Sequence, residues 1–165
     1  MDIIRDLERL RPEPESVLSI GSFDGVHLAH QEILHRLCLI GKERGLRKTV
    51  VTFSPHPQVV VHSRGEALQL LTDDEEKTAL LAAAGIERLV ILPFDRKMAA
   101  LEGERFLREI LLERIGFREM IIGHNHGFGK GRSGNRDTLV DLSERYNFRL
   151  EVVPPIQLDE VRISS

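Results

Sequence analysis

Short apolar runs alternate along this chain with longer segments whose apolar positions recur every three or four residues. The runs at 17–21, 48–53, 88–92, 119–122 and 149–153 are short, branched and nearly continuous, which predicts five strands buried on both faces. Between the first two, 27–44 sets Ile33, Leu34, Leu37, Cys38 and Ile40 on one helical face, and Gly45 ends it. A second helix opens at Thr72. Glu75 completes a capping box with Thr72, while Asp73, Asp74 and Glu76 put acid where the helix dipole favours it. Its inner face is expected at Leu80, Leu81 and Ala84, with Gly85 as the stop. Residues 104–114 carry Phe106, Leu107, Ile110 and Leu111 ahead of Gly116, and a last helix carries Leu139, Leu142 and Tyr146. At the start, Ile3, Ile4, Leu7 and Leu10 lie at helical spacing and predict a short amphipathic helix, closed by Pro12 and Pro14. The run at 59–61 reads as an edge strand or a loop anchor.

Strands alternating with helices at this spacing predict an α/β fold with a parallel sheet covered on both faces. A doubly wound, Rossmann-like, five-stranded order of 3-2-1-4-5 makes the first and fourth strands neighbours. Right-handed crossovers then put the loops 21–30 and 123–134 face to face, at the crevice where such sheets bind ligands.

Composition narrows the picture. At 165 residues the chain is read as one domain, without repeat, low-complexity tract or linker. A net charge of −3 gives no broad basic field for nucleic acid or an anionic membrane, so any anion site is local. The absence of Trp and the single Tyr146 leave few platforms for stacking bases. The lone Cys38 rules out an internal disulfide and sits on an apolar stripe, which favours packing over a reactive thiol. No signal-peptide pattern opens the chain and no apolar run nears the ~20 residues of a membrane helix, so a cytoplasmic location is expected.

The candidate chemistry lies in the loops after strands. Gly21-Ser22-Phe23-Asp24-Gly25 runs from a strand end into a helix start, where free backbone N–H groups and the helix dipole favour a phosphate. Phe23 is expected to plug inward, and Asp24 either caps the helix or orients a histidine. His27 and His30 share one helix face, as structural imidazoles or as donors in phosphoryl or nucleotidyl transfer, which needs hydrogen bonds aimed at oxygens gaining charge. A zinc site drawn from His27, His30, His56, His124 and His126 is the competing reading. Its spacing lacks the i, i+4 pair and adjacent Glu of helix-borne zinc hydrolases. The acidic cluster at 73–76 is helix-start chemistry or, less simply, a metal site. Pro55-His56-Pro57 either redirects the chain or forms a stiff ligand wall. Residues 123–134 hold five glycines with Lys130 and Arg132, either a solvated connection or a mobile cationic flap over a triphosphate. Asn125 at the strand end could read an amide or hydroxyl.

The segment Gly21-Ser22-Phe23-Asp24-Gly25-Val26-His27-Leu28-Ala29-His30 resembles the nucleotidyltransferase signature of bacterial bifunctional riboflavin kinase/FAD synthetases, specifically their N-terminal FMN adenylyltransferase domain. The resemblance continues in order through Thr52-Phe53-Ser54-Pro55-His56-Pro57, Leu70-Leu71-Thr72 with Glu76-Lys77, Leu92-Pro93-Phe94-Asp95, and 123–134. It implies a nucleotidyltransferase-type sheet over 1–165 and transfer of AMP from ATP to FMN, with Mg²⁺, giving FAD and pyrophosphate. It makes His27, His30 and Asn125 the catalytic residues. Gly21, Ser22, Phe23, Asp24, Gly25, Arg162, Ser164 and Ser165 join the two histidines around ATP. Pro55, His56, Pro57, Asn125 and Phe128 fall on the flavin side, and Gly127, Gly129, Lys130 and Arg132 on the flap. Three departures from the family pattern stand out. Ala29 adds a methyl between the histidines, and Gly127 loosens the flap. The chain also stops at Ser165, inside the family's last phosphate-contacting motif and before its riboflavin kinase domain. A partial record of a longer chain, or a binding domain without catalysis, are the readings this leaves open.

Overall fold

The computed structural model describes residues 1–23, 28–54, 74–124, 126–158 and 161–163. In chain order the strands of the main sheet are β1 (Asp2–Ile4), β2 (Ser16–Ile20), β3 (Arg47–Ser54), β4 (Arg88–Pro93) and β5 (Glu119–Gly123). A small hairpin, β6 (Gly127–Phe128) and β7 (Gly134–Asn135), precedes the last sheet strand, β8 (Arg149–Val153), and β9 (Ile156–Leu158) pairs with β10 (Val161–Ile163). The helices are α1 (Leu28–Arg44), α2 (Asp74–Ala83), α3 (Arg96–Ala99), α4 (Gly103–Phe106), which runs on as a π-helical stretch (Leu107–Ile115), and α5 (Arg136–Arg145).

The main sheet is parallel, in the order β1-β4-β3-β2-β5-β8. The expected 3-2-1-4-5 arrangement is the run of five strands β4-β3-β2-β5-β8. The correction is a sixth strand at the edge: Asp2–Ile4 is not helical but pairs with β4, Ile3 opposite Leu89 and Ile4 opposite Val90. A nine-residue segment holds few helical hydrogen bonds of its own, whereas an unpaired parallel edge offers a ladder at once. Only a short turn of 3₁₀ helix, Leu7–Arg9, remains of the predicted helix.

Period-two alternation sorts the strand residues onto two cores. Val17, Val50, Leu89, Ile91 and Ile121 face α1 and α2, where Ile33, Leu34, Leu37 and Leu81 cover them. Leu18, Ile20, Val51, Val90, Leu92, Met120 and Ile122 face the other way, under Phe106, Leu107, Leu111, Leu139 and Leu142. Helices from the first half of the chain therefore cover one face and those from the second half the other. The winding reverses between β2 and β5. Cys38 is half-buried, its thiol donating to the Ala84 carbonyl at 3.3 Å, and burial pushes its pKa up. One helical phase differs from expectation: Leu80 and Ala84 are exposed, and α2 turns Leu81 and Lys77 inward instead. The expected start of that helix at Thr72 and Asp73, and the run at 59–61, lie outside the described residues.

At the sheet's N-terminal end Arg88 is fully buried at 0% exposure. Its guanidinium pairs with Glu13 at 2.7 Å and donates to Thr49 Oγ1 and to the Ile115 carbonyl, each at 3.2 Å. Glu13 also pairs with Arg47 at 2.6 Å. Burial pushes the Arg88 pKa down and Glu13 opposes that fall, so the carboxylate is what keeps the guanidinium tenable inside. Replacing Arg88 by Ala empties a fully buried site and takes from Glu13 one of its two arginine partners. It is expected to lower the unfolding free energy by about 3–5 kcal/mol, read from urea denaturation.

Candidate nucleotide-binding site

Two strand ends meet at the reversal of winding. β2 is hydrogen-bonded to β3 on one side and to β5 on the other, with Leu18 opposite both Thr49 and Met120. Being parallel, β2 and β5 leave the sheet at the same rim. β2 continues into Gly21, Ser22 and Phe23; β5 continues into His124 and the β6–β7 hairpin.

Gly21 still belongs to the sheet through its N–H, which donates to the Val51 carbonyl at 3.0 Å. Its missing side chain matters, since a Cβ there would sit 3.3 Å from the Phe23 ring. Phe23 is the expected plug: 1% exposed, its ring 4.9 Å from that of His30. It holds a φ of +51°, a left-handed conformation that a bulky L-residue adopts only when its surroundings impose it. The peptide before it is held by hydrogen bonds. The Ser22 carbonyl accepts from Thr52 Oγ1 at 3.2 Å and from Lys77 Nζ at 3.0 Å. His30 lies 7% exposed in the first turn of α1, beside a buried Ala29. The structure thus brings Gly21, Ser22, Phe23 and His30 together around one turn.

Asp24, Gly25, His27, Pro55, His56, Pro57, Asn125, Ser164 and Ser165 lie outside the described residues. Arg162 is in β10, opposite Gln157 of β9. Among the described residues no group of three or more His, Cys, Asp or Glu gathers as a metal site. Lys77 and Thr52 received no individual role from the sequence. The available signal was a lysine in helical phase with Leu81, four residues on, at a position that packs inward.

The glycine-rich segment carries the β6–β7 hairpin, which is hydrogen-bonded to the segment leading into α4. Lys130 N–H donates to the Leu101 carbonyl at 2.6 Å, and Gly103 N–H to Ser133 Oγ at 2.7 Å. The backbones touch where glycines meet: a Cβ on Gly103 would lie 2.3 Å from Gly134 N, and one on Gly129 2.7 Å from Gly103 Cα. Phe128, expected on the flavin side, is buried at 6% against Phe106, ring centroids 5.3 Å apart, and serves the core. At Gly127 the Arg132 side chain lies in the space a side chain would take, with Nε 2.6 Å from the missing Cβ. Lys130 and Arg132 remain exposed. Arg136 donates to His124 Nδ1 at 2.9 Å, which requires that ring nitrogen to be unprotonated. His126 Nε2 is buried with no hydrogen-bond partner, and the ring lies 5.6 Å from Phe128. Burial, with the Arg132 charge acting the same way, holds the His126 pKa down to about 4.

A helix following a strand end at the reversal point of a doubly wound parallel sheet defines a Rossmann-like α/β domain. The model of the FAD synthetase family matches residues 10–165, and the chain belongs to that family. It is 35% identical over 159 residues to a protein of Listeria monocytogenes named "FAD synthetase", covering 94% of this chain and 64% of that one. It is 32% identical over 167 residues to the Escherichia coli K12 "Bifunctional riboflavin kinase/FMN adenylyltransferase", covering all of this chain and 53% of that one. The counterpart from Buchnera aphidicola of Schizaphis graminum is 30% identical with the same coverage. The chain thus spans between about half and two thirds of the length of these relatives. Among solved structures, one described as a macrolide-efflux protein from Streptococcus pneumoniae superposes with a TM-score of 0.80 at 24% identity, over 99% of this chain and 54% of that one. A pantothenate synthetase from Thermus thermophilus gives 0.59 at 18% identity, over 99% and 65%. Both likenesses are of fold alone.

Two outcomes check this geometry. Gly103→Ala forces backbone against backbone at Gly134 and is expected to destabilise by about 1–3 kcal/mol, with new proteolytic cleavage within 127–135; an unchanged urea midpoint and cleavage pattern contradict the docking. For His126 the folded pKa lies below the ordinary value near 6.5, so the unfolded chain takes the proton first. Its stabilising share is whole above about pH 6.5 and drains away as pH falls towards 4. His126→Phe should flatten the stability-against-pH curve in that window, measured by denaturant midpoints at a series of pH values.

Proposed function

We propose that this chain is an FMN adenylyltransferase, transferring AMP from ATP to FMN with release of pyrophosphate and formation of FAD. The observation that carries the reading is the strained, hydrogen-bonded turn at 21–23 entering α1 at the β2–β5 reversal, in a chain of the FAD synthetase family. An FMN phosphate oxygen attacks the α-phosphorus of ATP as the bond to the β-phosphate's bridging oxygen breaks. Such a transfer needs no protein nucleophile. It needs both substrates fixed in line and donors aimed at oxygens gaining charge. In this reading His27 and His30 donate to the ATP phosphates, and Asn125 acts near the reacting groups. Mg²⁺ enters with ATP as part of the substrate. A riboflavin kinase domain C-terminal to this one and a cytoplasmic location belong to the same proposal. No helix among the described residues is long and apolar enough to cross a membrane.

The test is incubation with FMN, ATP and Mg²⁺, with FAD resolved chromatographically. His30→Ala is expected to lower kcat roughly 10²–10³-fold, with KM for FMN within about twofold and circular dichroism unchanged. Adenylylation of phosphopantetheine or nicotinamide mononucleotide instead of FMN would assign another acceptor. Binding of FMN and ATP without turnover would make the domain a non-catalytic binder.

A further inference from the structure

The buried lysine of α2 has a place in this site, and the inference rests on the nucleotide reading above. We propose that Lys77 is a positioning residue for ATP: its ammonium, with the Thr52 hydroxyl, fixes the Ser22–Phe23 peptide on which the nucleotide turn is built.

The helical phase of α2 gives the first observation. Leu81 is fully buried, and one turn earlier the same inward stripe holds Lys77, 8% exposed. An aliphatic residue would satisfy the core at that position without desolvating a cation or ordering a long side chain. The lysine goes in because of where its head lies. Nζ is 3.0 Å from the Ser22 carbonyl and 3.3 Å from Thr52 Oγ1, and Thr52 Oγ1 is 3.2 Å from the same carbonyl. Donors and acceptors assign without conflict. Lys77 donates to both oxygens, the hydroxyl passes its proton towards the carbonyl, and the Ser22 carbonyl accepts on both lone pairs.

The consequence runs through covalent geometry. In a trans peptide the C=O and N–H point in opposite directions, so turning the Ser22 carbonyl towards α2 and β3 turns the Phe23 N–H away from them. The next dihedral is the left-handed φ of +51° at Phe23, whose ring is buried against His30. Lys77 therefore reaches His30 in steps: carbonyl, strained peptide, packed ring. It also sets a positive charge directly behind the turn, where a triphosphate would feel it in a water-poor environment. Three elements distant in sequence, α2, the end of β3 and the β2 turn, converge on this one oxygen.

The test compares Lys77→Met, which keeps the aliphatic stem, with Thr52→Val, which keeps shape and removes only the hydroxyl. ATP and FMN are varied separately in the FAD-forming assay, urea midpoints are recorded, and binding of a non-hydrolysable ATP analogue is followed by calorimetry. Lys77→Met is expected to lower kcat/KM for ATP roughly tenfold to a hundredfold, less than loss of a direct donor. KM for FMN should stay within about twofold, and the urea midpoint should hold or rise because an apolar chain replaces a buried cation. Thr52→Val should move the same parameter in the same direction by a smaller factor. Equal losses towards ATP and FMN that track a fallen urea midpoint would mark Lys77 as structural only and overturn the proposal. So would unaltered kcat/KM for ATP in both variants. Should Lys77→Met not fold, Thr52→Val alone decides. If the unmodified chain makes no FAD, the acceptor reading fails. Calorimetry then still tests Lys77, through analogue affinity weakened in the variants or equal to the parent's.

Discussion

The pairing of β2 with β3 on one side and β5 on the other is the constraint from which the rest of the site follows. Because winding reverses there, α1 leaves on one face of the sheet and the helices that follow β4 cover the other. Gly21 remains in the ladder through its bond to Val51 while Ser22 and Phe23 break from it. A register shift of β5 by one residue would turn Met120 and Ile122 from their core to the opposite one, so the hydrophobic pattern locks the rim as firmly as the backbone bonds do.

Buried cations hold both ends of the sheet, by different means. At the N-terminal end Arg88 spreads its planar fork over a carboxylate, a threonine hydroxyl and a carbonyl. At the C-terminal end Lys77, a compact charge on a flexible stem, closes a small triangle with Thr52 and Ser22. The fork suits a fixed structural junction where several partners lie in one plane. The point charge suits a turn where a single carbonyl must be held. The hairpin is secured without charge, by glycines at 103, 129 and 134 that allow backbones to meet and by the hydrogen bonds flanking them. Each device depends on a residue type that hydrophobic patterning does not see.

That difference explains what was legible in the chain. The five strands from β4 across to β8 and the long helices could be read because burial within a sheet leaves short apolar runs and burial of one helix face leaves a 3.6-residue stripe. β1 could not. Ile3, Ile4, Leu7 and Leu10 satisfy a helical template, and only the vacant edge of β4, a tertiary fact, makes Ile3 and Ile4 a strand. The inner face of α2 was misjudged because Leu80 is apolar and Lys77 is not, yet the core receives Leu81 and Lys77. The packing of the Phe128 ring on Phe106, contributed by α4, is likewise a tertiary contact that no local pattern shows. The meeting of Gly21, Phe23 and His30 at one turn was legible since a strand end, a turn and a helix start are local features. The hold on Ser22 was not, because Lys77 lies 55 residues away.

Strain at Phe23 ties these threads together. A bulky residue at a φ of +51° persists only where both of its neighbours in space forbid relaxation. Burying the ring against His30 blocks one direction, since releasing φ would drag an aromatic side chain out of the core. Holding the preceding carbonyl by two hydrogen bonds blocks the other, since rotating that peptide would break both at once. The turn is thus fixed before any ligand arrives. For a reaction that asks the protein for placement and charge rather than a nucleophile, a turn that need not reorganise on binding is where its contribution is greatest. Relieving the strain, by glycine at position 23 for instance, would remove the anchoring ring together with the constraint, so the strained residue and its restraints act as one unit.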